Sequence, residues 1–551
     1  MEHYLLVEGI NIYDNVFDTN QLSIVRGGSF LLKQAIADIA EDCAGRLEPL
    51  SIGASSGFFL VKPDAPGDSE KICADIVKYL ESNALYSLLT FIVETCEADS
   101  PVTAKERLLT KLRFHQLQAS CLVPDCVIGG SSGPSDWSGV RAKKNPPDCV
   151  TYGPRHNPDK TVEISASEKA RWQYGREQKQ SYYLEEVVRL AEGDEANPHQ
   201  QLIERLDHPG EKQQGYHFTR DLHELSECEK YPDLSGKIAV FYADGNGFGA
   251  LQRKLVNKAG DGKAQRQFDT ELQRLRQDFL AAMLEEALPD GRFPEMKTVT
   301  RDDDNNLVPA LRIETLLWGG DEMLFVMPAW IGFDFVQFFF EQTRNWEISG
   351  QPLTHSAGLV LCSAKTPIRI TRQLAQVIAD HIKDKTAATA EGKRNAWDYM
   401  VLESIDYPAH FDFGRFQQER YRAAASQRPL CIEPGKSWCS DKNAITGLLE
   451  NQLPRRQLQG LAHWLAEQQD LSWIQDMKKS AWPPPENATD PLQQRENRLL
   501  AVCENSNAVE EGIRKVAMVF GLSEDNPSQR AWLWLHLAEL KDYIAPGRKK
   551  S

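Results

Sequence analysis

The chain has 551 residues, which at roughly 150 residues per domain predicts about three or four domains and excludes a single small binding module. Lys and Arg number 63 against 79 Asp and Glu, so the formal net charge is −16 and general coating of nucleic acid is not expected. Hydrophobic residues make up 41% and charged residues 26%, a composition typical of a folded chain.

The sequence shows no targeting or membrane-spanning pattern. It contains no run of about 18 uncharged apolar residues, and the N-terminus lacks the basic and apolar regions of a secretory signal. We therefore expect a cytoplasmic protein with no membrane partner. Eleven cysteines in a reducing compartment favour buried thiols or a metal site over a disulfide framework.

Apolar spacing predicts alternating strands and helices over residues 1–118, which we assign to a first domain. The predicted elements are a strand over residues 4–12, a helix over 27–39, a β-hairpin over 50–61, a strand over 87–94 and a basic amphipathic helix over 105–118.

Residues 119–230 form a second region, made of a Cys/His insertion and a helical linker. From 119 to about 159 the composition shifts to Cys, Gly, Ser, Pro and Lys, which marks an insertion with little core of its own, and a long helix follows over 165–192. Four side chains in the insertion can close a tetrahedron around Zn²⁺, although ordinary cysteines in a loop remain the alternative. These four are Cys121, Cys126, Cys149 and His156.

Residues 231–427 repeat the mixture of strands and helices and form the third domain. The predicted elements are a strand over 237–243, a helix over 269–287, a hairpin over 311–327, a strand over 355–362 and a helix over 370–385. Beyond residue 428 the strand patterns stop, which predicts an all-helical domain over 428–551.

The two hairpins are an internal repeat. Residues 51–60 align without gaps on residues 317–326, and each hairpin lies downstream of a strand that ends in an acidic residue and glycine. Gly53 and Ala54 match Gly319 and Gly320. Ser55 and Ser56 stand where the second copy has Asp321 and Glu322, so the first copy has lost its carboxylates.

The second copy concentrates the residues that carry chemistry. Asp244 ends a buried strand, and the glycine-containing turn after it lets backbone N–H groups approach a phosphate. That turn consists of Gly245, Asn246, Gly247 and Phe248. If Asp244 meets Asp321 and Glu322, the three carboxylates need cations, and Mg²⁺ or Mn²⁺ is the natural choice for nucleotidyl transfer.

These turns have three alternative interpretations. The turn formally fits a dinucleotide-binding fingerprint, but no parallel strand follows promptly after the next helix. It also begins like a calcium loop, but Leu255 stands where a bidentate Glu is required. Either acidic turn alone is consistent with a solvated surface loop. The presence of both turns in one chain disfavours that interpretation.

At these residues the sequence resembles a known family. Gly319 to Met323 reads GGDEM and is similar to the GGDEF motif of nucleotide cyclases, and Asp244 to Phe248 resembles its metal-binding strand end. More of the chain resembles the large palm polymerase subunit of CRISPR type III effector complexes. Further matching pieces are Val25 to Phe30, His355 to Gly358, Lys365 to Pro367 and Arg428-Pro429.

The resemblance implies an α+β fold with two ferredoxin-like palm domains, the first degenerate and the second GGDE-bearing, a Cys-containing insertion and a C-terminal helical domain. It implies that Asp244, Asp321 and Glu322 bind the metals, that Gly319 and Gly320 receive the nucleotide, and that Lys383 contacts the triphosphate. The family has GGDD where this chain has Glu322, so the base preference and the ring size of the product stay open. This sequence has no His-Asp dipeptide, the mark of the nuclease domain that many members of the family carry. We therefore expect no DNase activity.

The long predicted helix carries cations and aromatics that suggest a contact for RNA or triphosphate, against the simpler reading of a solvated face. These residues are Arg171, Arg176, Lys179, Tyr182 and Tyr183, with Arg141 to Lys144 adding charge nearby. Other expected partners are CRISPR-type effector subunits or a second copy of the chain.

The first functional hypothesis is an enzyme that joins or cyclises nucleoside triphosphates, ATP by resemblance, into a cyclic oligonucleotide messenger in antiviral defence. A nucleotide- or RNA-binding subunit with little activity is the second. A diguanylate-type cyclase is the third; it fits Glu322 but not the duplicated palm or the helical tail.

Overall fold

A computed structural model describes most of the chain. It covers residues 1–63, 68–118, 133–151, 160–188, 198–207, 215–259, 262–301, 306–388, 392, 394–403, 408, 411–423, 446–449, 453–469, 474, 481–519 and 522–545. Across these ranges, no helix combines the length and the apolar character needed to cross a bilayer. The architecture is α+β, with several small sheets and many helices.

The N-terminal unit, residues 2–118, is a four-stranded antiparallel sheet with helices on both faces. Its elements are β1 (Glu2–Gly9), α1 (Ile12–Asn15), α2 (Leu22–Asp42), β2 (Leu47–Ile52), β3 (Ser56–Val61), α3 (Ser69–Ser82), β4 (Phe91–Ala98) and α4 (Pro101–Gln118). The strand order is β2-β3-β1-β4. The predicted strands, hairpin and helices are confirmed, with β4 starting four residues later than expected.

Strand β1 shows why both faces of this sheet are covered. Leu5 and Val7 point to the core shared with α2 and α3, whereas Tyr4 and Leu6 point to a smaller core formed with α4. Successive side chains of a strand alternate between faces, so a run of four buried apolar residues requires a helix layer on each side.

A connecting region links this unit to the next. Its elements are β5 (Asp148–Thr151), β6 (Thr161–Ile164), α5 (Ala166–Val188), α6 (Gln200–Asp207), β7 (His217–Phe218) and α7 (Leu222–Ser226). Helix α5 crosses α2 at two glycines. A Cβ on Gly27 would lie 1.9 Å from the Arg171 carbonyl oxygen, and one on Gly175 would lie 2.0 Å from that of Ser23. The backbones therefore touch at a distance that only glycine permits.

The central unit, residues 237–401, is built on a five-stranded sheet of order β11-β12-β8-β15-β16. The unit also has strands outside this sheet, and its full set is β8 (Lys237–Gly245), β9 (Lys297–Arg301), β10 (Leu307–Leu311), β11 (Glu314–Gly319), β12 (Glu322–Pro328), β13 (Glu347–Ile348), β14 (Gln351–Pro352), β15 (His355–Ser363) and β16 (Ala396–Val401). Its helices are α8 (Phe248–Ala259), α9 (Gly262–Ala287), α10 (Ala329–Thr343) and α11 (Ile368–Ala387).

The two units repeat one another in strand order and in hairpin register. The first four strands of the central sheet follow the order of the N-terminal sheet. Both hairpins carry an irregularity at the aligned position, between Pro49 and Ser51 in one and between Thr315 and Leu317 in the other. Strand β16, which runs parallel to β15, is an addition that the sequence analysis missed.

Helix α12 (Phe413–Tyr421) follows the central unit. Beyond residue 428 the described parts are helical, as predicted, with α13 (Arg455–Glu467), α14 (Pro491–Leu500), α15 (Ser506–Val519) and α16 (Pro527–Ile544). Trp532 and Trp534 of α16 are buried, and Trp464 packs against the same core, which confirms their expected packing role. Trp473 lies outside the described residues.

Candidate functional site

Asp244 lies at the carboxyl end of β8, the central strand of the larger sheet. Met323 pairs with Ala243 across β12 and β8, so the tip of the β11–β12 hairpin lies beside the end of β8. A Cβ on Gly245 would lie 2.7 Å from the Cβ of Asp321, which places Asp321 directly against the residue after Asp244. The predicted meeting of Asp244 and Asp321 therefore follows from strand register.

The Asp321 carboxyl is destabilised in its charged form. Burial and the negative charge of Asp244 raise the pKa of Asp321 to about 7. Two carboxylates in contact cannot both stay ionised at low cost unless a proton or a cation lies between them. Their hard oxygen donors and their mutual repulsion fit a divalent cation such as Mg²⁺.

Glu322 has a different partner. The Tyr242 hydroxyl donates a hydrogen bond to Glu322 Oε1 at 2.8 Å, and burial together with Glu322 raises the pKa of Tyr242. Tyr242 precedes Asp244 by two residues on β8, so the period of a strand places both on one face. The sequence analysis missed Tyr242, although this period could have identified it.

Lys383 reaches the site from α11, which packs across the sheet. Its ammonium forms an ion pair with Asp244 and donates to the Gly245 carbonyl oxygen at 3.2 Å. Asp380, one turn earlier on α11, is a further acid here: burial and the Asp244 carboxylate raise its pKa, whereas Lys383 lowers it. The resemblance thus identified a lysine that lies at the acidic cluster.

The turn after Asp244 is held by its own side chains. The Asn246 amide donates to Thr354 Oγ1 at 3.1 Å and to the Arg394 carbonyl oxygen at 3.0 Å, and its Oδ1 accepts from Ser356 Oγ at 2.8 Å. These bonds assign the Asn246 side chain to holding the turn. Phe248 anchors the start of α8 by packing on Phe268, with ring centroids 5.2 Å apart.

The glycines of the acidic hairpin permit both its turn and its contact with the other unit. Gly320 has φ of 56°, a left-handed conformation that glycine adopts without strain. A Cβ on Gly319 would lie 2.6 Å from the Cβ of Ala54 in the N-terminal hairpin. The two hairpin tips therefore touch, and the site lies at the junction of the two units.

A cleft opens between these tips. It is lined by Lys33, Ile52, Gly53, Ala54, Glu186, Gln273, Arg276, Gln277 and Trp318. The Trp318 indole N–H donates to Glu186 at 3.0 Å, and the Arg276 guanidinium lies 4.7 Å from the centroid of the Trp318 ring. Polar and aromatic groups thus converge beside Gly319.

His355 lies next to the same turn but is a packing residue. It is fully buried, pairs with Gly245 across the sheet, and meets the rings of Phe339 and Trp346 edge-on. Burial, with a smaller contribution from Lys383, lowers the pKa of His355 to about 3. The imidazole is therefore neutral at physiological pH.

The structure describes the residues of one predicted metal site fully and those of the other only in part. Among the described residues, no group of three or more His, Cys, Asp or Glu side chains is spaced to hold a metal ion, so the three carboxylates do not form a ready-made cage. Of the predicted zinc ligands, Cys149 lies exposed on β5. Cys121, Cys126 and His156 lie outside the described residues, and the zinc site stays a prediction.

The expected nucleic-acid contact on α5 is wrong for most of its residues. Arg171, Lys179, Tyr182 and Tyr183 are buried. Arg171 pairs with Asp18 at 2.9 Å, and Lys179 pairs with Glu314 at 2.7 Å. The reason is the position of α5 between the two units, where its cations neutralise buried acids.

Two further members of the expected basic region differ in exposure. Arg141 is fully buried and also pairs with Asp18, so it is withdrawn from any surface. Arg176 is exposed and lies 4.7 Å above the Trp172 ring.

Comparisons with known proteins give structural neighbours only. No protein-family model and no curated protein matches the chain. Similar solved structures are the Csm1–Csm4 cassette in complex with cA4 (TM-score 0.44), that cassette in complex with pppApA (0.45) and Csm1 in T. onnurineus (0.45). Each is 16% identical in sequence, and the matched region covers 99% of this chain and 70% of the Csm1 chain. These similar structures are of Csm1, the type III CRISPR large subunit.

Proposed function

We propose that the chain belongs to the CRISPR type III large-subunit family and is a nucleotidyltransferase with two palm domains. In this proposal, it joins nucleoside triphosphates, ATP by resemblance, into a cyclic oligonucleotide messenger. The observation that carries the proposal is the contact of Asp244 with Asp321 beside a glycine turn at the start of a helix. This arrangement unites a cation-binding acid pair with a place for phosphate.

Each residue of the site has its own role in this proposal. Asp244 and Asp321 would hold Mg²⁺ or Mn²⁺, which lowers the pKa of a 3′-hydroxyl and stabilises the leaving pyrophosphate. The turn after Asn246 would present backbone N–H groups to the phosphates at the N-terminus of α8, whereas the Asn246 N–H already donates to the Thr354 carbonyl oxygen at 2.7 Å. Gly319 and Gly320 would admit the nucleotide close to the backbone, since neither carries a side chain.

Glu322 and Tyr242 would orient the site, because their hydrogen bond fixes the carboxylate next to Asp321. His355 is fully buried and its pKa of about 3 makes it a weak base, which supports a mechanism without a histidine base. The contact between Ala54 and Gly319 supports a site completed by two units of one chain. A diguanylate-type cyclase, which usually needs facing palms from two chains, is therefore the weaker candidate.

The test is incubation of the purified protein with each labelled triphosphate and Mg²⁺ or Mn²⁺, with and without RNA. Products are separated by chromatography and identified by mass. We expect a cyclic adenylate whose formation is abolished by Asp321→Asn and by Asp244→Asn. Asp290→Asn is the control, because Asp290 is an exposed acid that pairs with Arg205 on the surface.

ATP binding without product, lost in Asp321→Asn, would favour a binding subunit in an effector complex. Product formation that survives Asp321→Asn would refute the proposed site. Dependence of product on added RNA would add RNA and further effector subunits to the partners.

A further inference from the structure

We propose that Lys383 is the counter-ion of Asp244 in the nucleotide-free protein, so that a divalent cation binds strongly only together with a triphosphate that draws the lysine away. The inference rests on the proposed function for the identity of the site. It goes beyond that function because it concerns the order of binding and the exclusion of free metal.

The geometry places the Lys383 ammonium where a metal ion would meet Asp244. The ammonium pairs with Asp244 Oδ2 and also bonds to the Gly245 carbonyl oxygen at 3.2 Å. The Lys383 side chain is 27% exposed and that of Asp244 14%, so solvent and salt screen this pair less than a surface pair. A cation that approaches Asp244 must therefore displace a bound positive charge.

The surroundings explain why a cation is needed at this point. Two other carboxylates interact with Asp244: Asp321 from the hairpin and Asp380 from the same helix as Lys383; Glu322 in turn interacts with both of them. The Arg372 guanidinium, which stacks 4.2 Å from the centroid of the Phe17 ring, interacts with Glu322. Lys383 is therefore the cation that pairs with Asp244 itself.

A triphosphate offers Lys383 a better partner than one carboxylate. Its oxygens carry several negative charges, and the turn at Gly245 at the start of α8 is where they would lie. A lysine ends in a point charge on a flexible four-carbon stem, so it can move to a phosphate without a change in the helix. This movement frees Asp244 Oδ2 as the metal arrives, which couples the two binding events reciprocally.

The test measures Mn²⁺ binding by electron paramagnetic resonance, without nucleotide and with a non-hydrolysable ATP analogue. For Lys383→Gln we expect nucleotide-free Mn²⁺ affinity to rise by about tenfold or more and affinity for the analogue to fall, since one attractive charge for phosphate is lost. Lys385→Gln is the matched control, with the same charge change at an exposed position two residues along α11. It is expected to leave both affinities unchanged.

Two results separate failure of this inference from failure of the proposed function. Unchanged or weaker nucleotide-free Mn²⁺ binding in Lys383→Gln, with binding still lost in Asp244→Asn, would overturn the role of Lys383 and keep the metal site. Mn²⁺ binding that is unaffected by Asp244→Asn and Asp321→Asn would overturn both. Lys383→Arg retains the charge and is expected to keep nucleotide-free Mn²⁺ affinity near that of the wild type, and thermal unfolding shows whether each variant is folded.

Discussion

A buried ion cluster ties the acidic hairpin to the rest of the molecule, and its removal should loosen that hairpin. Glu314, at the start of β11, accepts from one Arg26 nitrogen at 2.5 and 2.6 Å and from Lys179 at 2.7 Å. Side-chain exposures are 1% for Glu314, 2% for Arg26 and 8% for Lys179. Arg26 lies on α2 and Lys179 on α5, so this carboxylate joins three parts of the fold.

We predict that Glu314→Ala destabilises the hairpin by about 3–5 kcal/mol, because it leaves two buried cations without a counter-charge. The lower part of this range is expected, since burial already lowers the pKa of Lys179 to about 8 and the lysine can lose its proton. A loss of about 3 kcal/mol corresponds to amide exchange that is faster by about 10²-fold where exchange occurs through local opening.

Hydrogen exchange of the peptides that cover residues 314–328 measures this loss. Glu419→Ala is the control: it breaks the Arg415–Glu419 pair, whose side chains are 54% and 62% exposed, and should cost about 0–1 kcal/mol. Equal exchange in the two variants would refute the reasoning. The double variant Arg26→Met with Glu314→Leu should cost less than Glu314→Ala, because it leaves no unpaired guanidinium in the core and the remaining Lys179 can lose its proton.

Two further predictions concern the junction of the units. For the proposed activity, Gly319→Ala should slow nucleotide turnover and weaken ATP binding, because its Cβ would lie 2.6 Å from that of Ala54. Adding Ala54→Gly should restore both, and no rescue in the double variant would refute the contact. Asp269 on α9 has its pKa raised by burial to about 6, so wild-type stability should fall as pH rises from about 4 to 6, by about 1–2 kcal/mol relative to Asp269→Asn. Denaturation midpoints of both proteins across this pH range measure the difference, and a pH-independent difference would contradict it.

Periodicity and motif spacing predicted much of the fold and part of the site. The strand ends and glycine turns located Asp244 and Asp321, because register places those ends together. Strand β16 was missed because all six of its residues are buried, so no alternation marks it. Tyr242 was missed although it shares a strand face with Asp244, whereas Asp380 was missed because its role depends on neighbours that are distant in sequence.

For helix α5 the sequence analysis did not miss a feature but predicted a surface contact that is wrong. Arg171 and Lys179 read as surface charges in isolation, yet each pairs with an acid of another element. Composition cannot distinguish a cation that meets solvent from one that meets a buried carboxylate. The partners Asp18 and Glu314 are separated from them by more than 100 residues, so pattern within one helix carries no signal of the pairing.

Contact between the two hairpin tips gives a physical reason for their difference in sequence. Ala54 touches Gly319, so the residues that follow each of them lie in the same neighbourhood. Acidic residues at positions 55 and 56 would add two carboxylates to a region where Asp321 already resists ionisation because of Asp244. Ser55 and Ser56 avoid that repulsion and preserve the turn, in which the Gly53 N–H donates to the Ser56 carbonyl oxygen at 2.8 Å. The N-terminal unit can therefore pack against the acidic tip because it has lost the carboxylates of its own.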